Sequence, residues 1–230
     1  MPTPYPWLSP IPGLHRRNPE HLYWLGEVEF PVSVTGVTGV KSDYAMERIE
    51  ATRATWEPRG NSCHRALELF LLLTHAAGDD DLTGRVDPAP LAELGELLQG
   101  DHADWIQPLV THDRWNAINV IASERPTCCL KRKVAGTFDV AYIDEQGRRI
   151  LADLKSLGSE SSSTYSTAAQ LGGYMALEAT WGNHYDAGQT IWCRPGQTTF
   201  SPLYSLSECR TAWAGAWATY RARAAEPGFI

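Results

Sequence analysis

The chain has no C-x-x-C pair among its five cysteines, which stand at 63, 128, 129, 193 and 209. An odd number at those spacings outlines neither a disulfide framework nor a zinc knuckle, and it fits a reduced, cytosolic setting. Long apolar runs are missing too. The longest, Leu69 to Leu73, is far short of a membrane span, and the proline-broken N-terminus lacks the apolar block of a signal peptide. Lysine is scarce, at four in 230 residues, and the formal net charge is -7. That balance excludes a protein that coats nucleic acid indiscriminately, although it leaves room for a local basic groove. No internal repeat or convincing linker divides the chain, so residues 1–230 read as one domain with additions.

What is there is ordinary globular composition with many tryptophans, nine of them. Residues 1–28 are rich in proline and aromatics and predict an extended arm tied down by Tyr5, Trp7, Tyr23 and Trp24. Residues 30–37 predict a strand or extended lead-in. Ser42 or Asp43 caps an expected helix from Tyr44 to Trp56, which Pro58 and Gly60 break. The next helix carries His64, Leu67, Phe70, Leu71 and Thr74 at helical spacing; by pattern alone His64 is a satisfied core residue. Asp79-Asp80-Asp81 reads as an exposed loop, and residues 89–98 and 101–112 as two short helices. A β-branched stretch over residues 119–129 predicts a strand holding Glu124. After the stretch described next come a helix over 167–181, strands over 187–193 and 198–204, and a Trp-rich helix over 207–224.

The chemistry concentrates in residues 136–155, GTFDVAYIDEQGRRILADLK, which predict a β-hairpin. Phe138, Val140 and Tyr142 share one expected face of its first arm, and Asp139 and Ala141 the other. Asp144 to Gly147 supply the turn, since Asp bonds its own backbone and Gly tolerates positive φ. With the turn near Gln146, paired residue numbers sum to about 292, which sets Asp139 opposite Asp153 with Lys155 on the same face. Two carboxylates across a ladder repel each other unless a cation lies between them, so this face predicts a metal site. Glu124 joins them if its strand pairs with the first arm. Lys131, Lys133, Arg148 and Arg149 form basic runs at the strand ends, where either a phosphate backbone or plain solvent is the expected neighbour.

The order of these motifs resembles the PD-(D/E)XK nuclease superfamily, in its RecB-like and phage-type exonuclease branch. The resemblance rests on Gly60-x-x-x-His64, Glu124, Gly136-Thr137-Phe138-Asp139, Asp153-Leu154-Lys155 and Gln170-Leu171-Gly172-Gly173-Tyr174. It spans residues 60–174, with Phe138 where the superfamily name has proline.

The resemblance implies an α/β fold with a restriction-endonuclease-like core, a central mixed β-sheet flanked by α-helices, the nuclease core occupying residues 60–193. It implies a metal-dependent deoxyribonuclease, foremost an exonuclease in phage or bacterial DNA processing or recombination. A structure- or site-specific endonuclease and an inactive nuclease-fold binding or assembly module stay open as alternatives. Asp139, Asp153 and Lys155 become the catalytic set. Asp139, Asp153, the Leu154 carbonyl, His64 and Glu124 become ligands for one or two Mg²⁺ or Mn²⁺ ions. Gln170 and Tyr174 become contacts to the DNA backbone or the lysine. The clustered C-terminal cysteines of iron–sulfur relatives are absent, so no cluster is expected. DNA is the expected partner and a membrane is not; the resemblance leaves open a single-strand annealing or recombination protein as a partner, and an oligomer of the chain. The expected compartment is the cytoplasm of a bacterial or phage-infected cell.

Overall fold

The structure, a computed structural model, describes residues 7–17, 22–39, 43–75 and 88–225. Three short strands come first: β1 (Leu14–Arg17), β2 (Leu22–Leu25) and β3 (Val28–Phe30), paired antiparallel. They correct the expectation of an irregular arm. Gly26, at φ 59°, adopts the left-handed conformation that lets β2 turn tightly into β3. Tyr5 lies outside the described residues.

Next come β4 (Val32–Ser33), a short piece of the strand or extended lead-in expected over residues 30–37, and α1 (Val34–Thr38), a helix where that stretch was expected to continue extended. The switch is local, because Ser33 Oγ accepts the Gly36 amide at 3.0 Å and caps the helix. Helices α2 (Asp43–Ala51) and α3 (Arg53–His75) meet at Thr52, so the break falls before Pro58, not at it. Pro58 lies in the second turn of α3, where it withholds one amide from the ladder without ending the helix. Helices α4 (Pro88–Leu97) and α5 (Ala103–Val110) follow the expected pair. Ser42 and Asp79 to Asp81 lie outside the described residues.

A 3-10 turn over Asp113–Ala117 leads into β5 (Asn119–Cys129), β6 (Val134–Ile143) and β7 (Arg149–Ser156). Then come α6 (Ala168–Glu178), β8 (Ala187–Arg194), β9 (Gln197–Phe200), β10 (Tyr204–Ser205) and α7 (Leu206–Ala224). The strand expected over 198–204 is thus two, β9 and β10. The expected helix over 167–181 is α6 followed by one 3-10 turn at Ala179–Trp181.

The large sheet is mixed. Antiparallel β5 covers one edge of β6 along its whole length. The other edge of β6 is divided: β7 pairs antiparallel with residues 140–143, and β4 pairs parallel with residues 134–135. Between those two partners, residues 136–139 have no strand beside them, and the sheet forks. Beyond β7 lies β8 in parallel, with β9 and β10 antiparallel to it. A strand flanked on both edges and both faces is almost wholly buried, which explains why β6 alternates only weakly in sequence.

Helices cover both faces. Val140, Tyr142, Ile150, Ala152 and Leu154 pack with Cys63, Leu67 and Leu71 of α3 and with Ile106 and Leu109 of α5. Ala141, Ile143 and Leu151 pack with Val34 of α1, Leu171 of α6 and Trp213 of α7. Phe138 joins this second layer, which corrects its expected place beside Val140 and Tyr142. At the fork the strand loses its partner, and the strict alternation of faces goes with it. Among the described residues no helix is long and apolar enough to cross a membrane.

Candidate metal centre

The hairpin fixes the site. Asp144 Oδ1 accepts the amides of Gln146 and Arg148 at 3.0 and 2.9 Å, so the turn closes where its own side chain dictates. The register follows, with Val140 opposite Ala152 and Ile143 opposite Arg149. One rung further Asp139 and Asp153 would face each other, but here β7 leaves β6. The Asp139 carboxylate takes over from the backbone: the Leu154 amide donates to Asp139 Oδ2 at 2.5 Å. A side chain thus stands in for the next carbonyl of the ladder.

Strand β5 and helix α3 bring two more groups to the same point. Glu124 lies opposite Asp139 on β5 and holds φ 43°, a left-handed conformation that a non-glycine residue rarely adopts. His64 reaches in from α3, its Nδ1 at 3.2 Å from Glu124 Oε1 and 3.3 Å from Asp139 Oδ1. Ligand atoms of His64, Glu124 and Asp139 lie within 4.8 Å of one another.

Asp153 and Lys155 form the other half. Asp153 is 1% exposed, and its Oδ2 lies 2.7 Å from Lys155 Nζ as an ion pair without hydrogen-bond alignment. Gln170 Nε2, one turn into α6, donates to Asp153 Oδ1 at 2.6 Å and fixes the carboxylate from the opposite layer.

The electrostatics record three acids gathered in a small volume. Burial pushes Asp153 up to about 6, with Asp139 adding to the rise and Lys155 opposing it. Burial also raises Glu124. Asp139 goes the other way. Its burial is outweighed by the charge and hydrogen bond of His64, by Lys155 and by the Leu154 amide, which together hold it below the usual carboxylate value. Burial works against a charged His64 and Lys155, yet the surrounding carboxylates raise both above their ordinary values. Lys155 is therefore a fixed cation.

Not every expected contact gathers here. Of Leu154 it is the amide that meets the site; the residue is fully buried. Tyr174, expected to contact the DNA backbone or the lysine, is buried against Phe138, where its hydroxyl meets Gln170 Nε2 at 3.5 Å. Lys131 and Lys133 are exposed in the β5–β6 turn. By strand rise Lys133 lies about 20 Å from Asp139. Arg148 and Arg149 sit at the closed end of the hairpin, away from the fork. Arg148 is engaged by Asp144 Oδ2 at 2.7 Å, and Arg149 lies over the Tyr185 ring at 5.7 Å. Neither run flanks the centre.

Two contributors were not expected at the site, although Tyr23 was expected to tie down the N-terminal arm. Tyr23 Oη lies 3.0 Å from Thr137 Oγ1 and ties the N-terminal sheet to the unpaired edge of β6. Arg59, buried on α3 one turn before Cys63, donates to Ser156 Oγ at 3.3 Å beside Lys155. A Pro- and Gly-flanked arginine reads as a helix break, which hid it.

No family model matches the chain, and no curated protein matches it. Among solved structures the chain is similar to one titled "Crystal structure of SSO0001", at 16% identity over 72% of this chain and 76% of that one, with a TM-score of 0.35. At that level the likeness bears on neither fold nor chemistry.

Proposed function

We propose that the protein is a metal-dependent deoxyribonuclease built on a restriction-endonuclease-like core, foremost an exonuclease acting in the cytoplasm of a bacterial or phage-infected cell. The observation that carries this reading is the fork. It draws Asp139, Glu124 and His64 together on one side and the Asp153–Lys155 pair on the other, all at one break in the sheet.

The residues suit a hard divalent cation. Asp139 and Glu124 offer carboxylate oxygens within reach of the His64 nitrogen. Asp153 holds a buried oxygen with no aligned hydrogen bond. Oxygen-rich donors with one imidazole fit Mg²⁺ or Mn²⁺ better than zinc or copper. Asp139, Asp153, Glu124 and His64 would hold the ion. When bound, such a cation supplies Lewis acidity, neutralising charge at the scissile phosphate and acidifying water.

The chain's own groups do the rest. Lys155 keeps its proton and so serves as a positioned cation toward the phosphate and the attacking water, not as a free-amine base. Gln170 holds Asp153 in place with a hydrogen bond that a rotating carboxylate would otherwise lose. His64 locks Glu124 to Asp139. Arg59 adds positive charge at the end of β7, its guanidinium steadied over the Trp105 ring at 5.5 Å.

The test is cleavage of end-labelled linear DNA and of covalently closed circles in Mg²⁺, Mn²⁺ and EDTA, with Asp153→Ala and Lys155→Ala alongside. Metal-dependent loss of the linear substrate alone, abolished in both variants, is the expected result. Cutting of closed circles turns the assignment to an endonuclease. No cleavage under any metal sinks the enzymatic reading and leaves a DNA-binding or assembly module.

A further inference from the structure

A cleft of about 410 Å³ opens on the α6 side of the sheet, lined by Tyr165, Trp192, Thr199, Phe200, Ser201 and Tyr204 among others. No role described so far uses it. It adjoins the Asp153–Lys155 pair, because Thr190 and Trp192 of β8 are the ladder partners of Asp153 and Lys155. In a parallel ladder, paired residues point to the same face. Trp192 and Lys155 are therefore side by side.

The cleft has a prepared surface. Trp192 is 3% exposed, and Tyr165 stands on it edge to face, with centroids 5.0 Å apart and planes at 73°. Tyr165 itself is 54% exposed. The contact with Trp192 braces the ring while about half of the residue stays open to solvent, so a flat ligand meets a supported aromatic surface. The opposite wall is held as firmly. The Tyr204 hydroxyl accepts from Thr190 Oγ1 at 3.4 Å, and Thr190 Oγ1 lies 2.7 Å from Thr167 Oγ1 at the start of α6.

The chemistry of the lining selects the ligand. The cleft presents aromatic rings, hydroxyls and a proline but no charged side chain, while Lys155 lies next door. A neutral aromatic body with an anionic group at its edge matches that division. A nucleotide has this form, and the volume is that of a small-ligand site, not of a groove for a double helix. Bases inside a duplex are stacked and cannot enter, whereas an unpaired base presents its π-face to any aromatic ring.

We propose that this cleft seats one unpaired nucleotide next to the scissile phosphate, its base stacked on Tyr165 and its phosphate toward Lys155. The substrate is then single-stranded DNA or a frayed end, not an intact duplex. This rests on the nuclease reading for the identity of the ligand.

The test separates the two. Binding of a labelled single-stranded oligodeoxynucleotide and of a blunt duplex is followed by fluorescence anisotropy in Ca²⁺, for the full chain and for Tyr165→Ala and Tyr165→Phe. Cleavage in Mn²⁺ is measured in parallel. Tyr165→Ala is expected to weaken single-strand binding by about tenfold to a hundredfold. Tyr165→Phe should bind as the parent does. An oligomer of abasic residues should bind all three proteins alike, which a merely structural role for the ring would not produce. Single-strand binding by Tyr165→Ala within twofold of the parent, or a parent that prefers blunt duplex, overturns the cleft even if the protein cuts DNA. A parent that fails to cut in Mn²⁺ but loses single-strand binding on Tyr165→Ala overturns the nuclease reading and keeps the cleft.

Discussion

Lys155 and Asp153 stand two residues apart on one strand, and each sets the other's charge. Without the lysine, Asp153 would face Asp139 with nothing but Gln170 to steady it. Lys155→Met keeps an unbranched side chain only one atom shorter and removes its charge. On the proposed nuclease function it should lower single-turnover DNA cleavage by roughly a hundredfold to a thousandfold. An unchanged circular dichroism spectrum would show that the loss is chemical. Asp144 makes a different case at the same scale. Burial raises its carboxyl, but the Arg148 and Gln146 amides and the Arg148 side chain outweigh burial and hold it below its usual 3.8. A depressed carboxyl binds its proton less tightly folded than unfolded. Its contribution is therefore complete above the unfolded value and disappears as pH falls through the folded one. Asp144→Ala should cost about 1–2 kcal/mol at pH 7, read from urea midpoints, and the gap to the parent should narrow as pH falls through the folded carboxyl's value, which lies below the usual 3.8.

At the scale of elements, α6 is wedged between the sheet and α7 because it has glycines where neighbours press closest. A Cβ on Gly172 would lie 2.0 Å from the Cys209 carbonyl oxygen, and one on Gly173 would lie 2.6 Å from Val34 Cγ1. Gly172→Ala must push α7 away, so thermal unfolding should show a loss of about 1–3 kcal/mol or more. Retained stability would mean that α7 packs loosely. The sequence carried some of these elements and hid others. The hairpin register was legible, because the Asp144 turn is decided by bonds within five residues. Glu124 was legible as well, since a strand that pairs with β6 must carry it past Asp139. The three N-terminal strands were not: each is only three or four residues long, and prolines dominate the composition around them. The start of α3 was misread at Pro58, because proline reads as a stop wherever it falls and only packing reveals a helix that runs through it. Tyr174 took its expected role from the resemblance alone, and a motif match does not tell which of two residues on a helix faces the site and which is buried.

Across the whole molecule, one buried ion pair links segments far apart in the chain. Arg125 Nε lies 3.3 Å from Glu178 Oε2, joining β5 to α6, while the Arg125 guanidinium also donates to the carbonyls of Leu8 and Ser9. Asn183 Nδ2 completes the carboxylate at 2.9 Å. Glu178→Ala leaves a buried guanidinium without its countercharge and should cost about 3–5 kcal/mol in chemical denaturation. A loss under 1 kcal/mol would show that water reaches the pair. The break in the sheet has a last consequence, for genetics. Asp139 would serve twice on the proposed function, as a carboxylate for chemistry and as the acceptor that keeps β7 attached where β6 lets it go. An alanine there would abolish activity whether or not the carboxylate ever met a cation. Only Asp139→Asn, which keeps an oxygen for the Leu154 amide while giving up the charge, can tell an inert enzyme from an unravelled one.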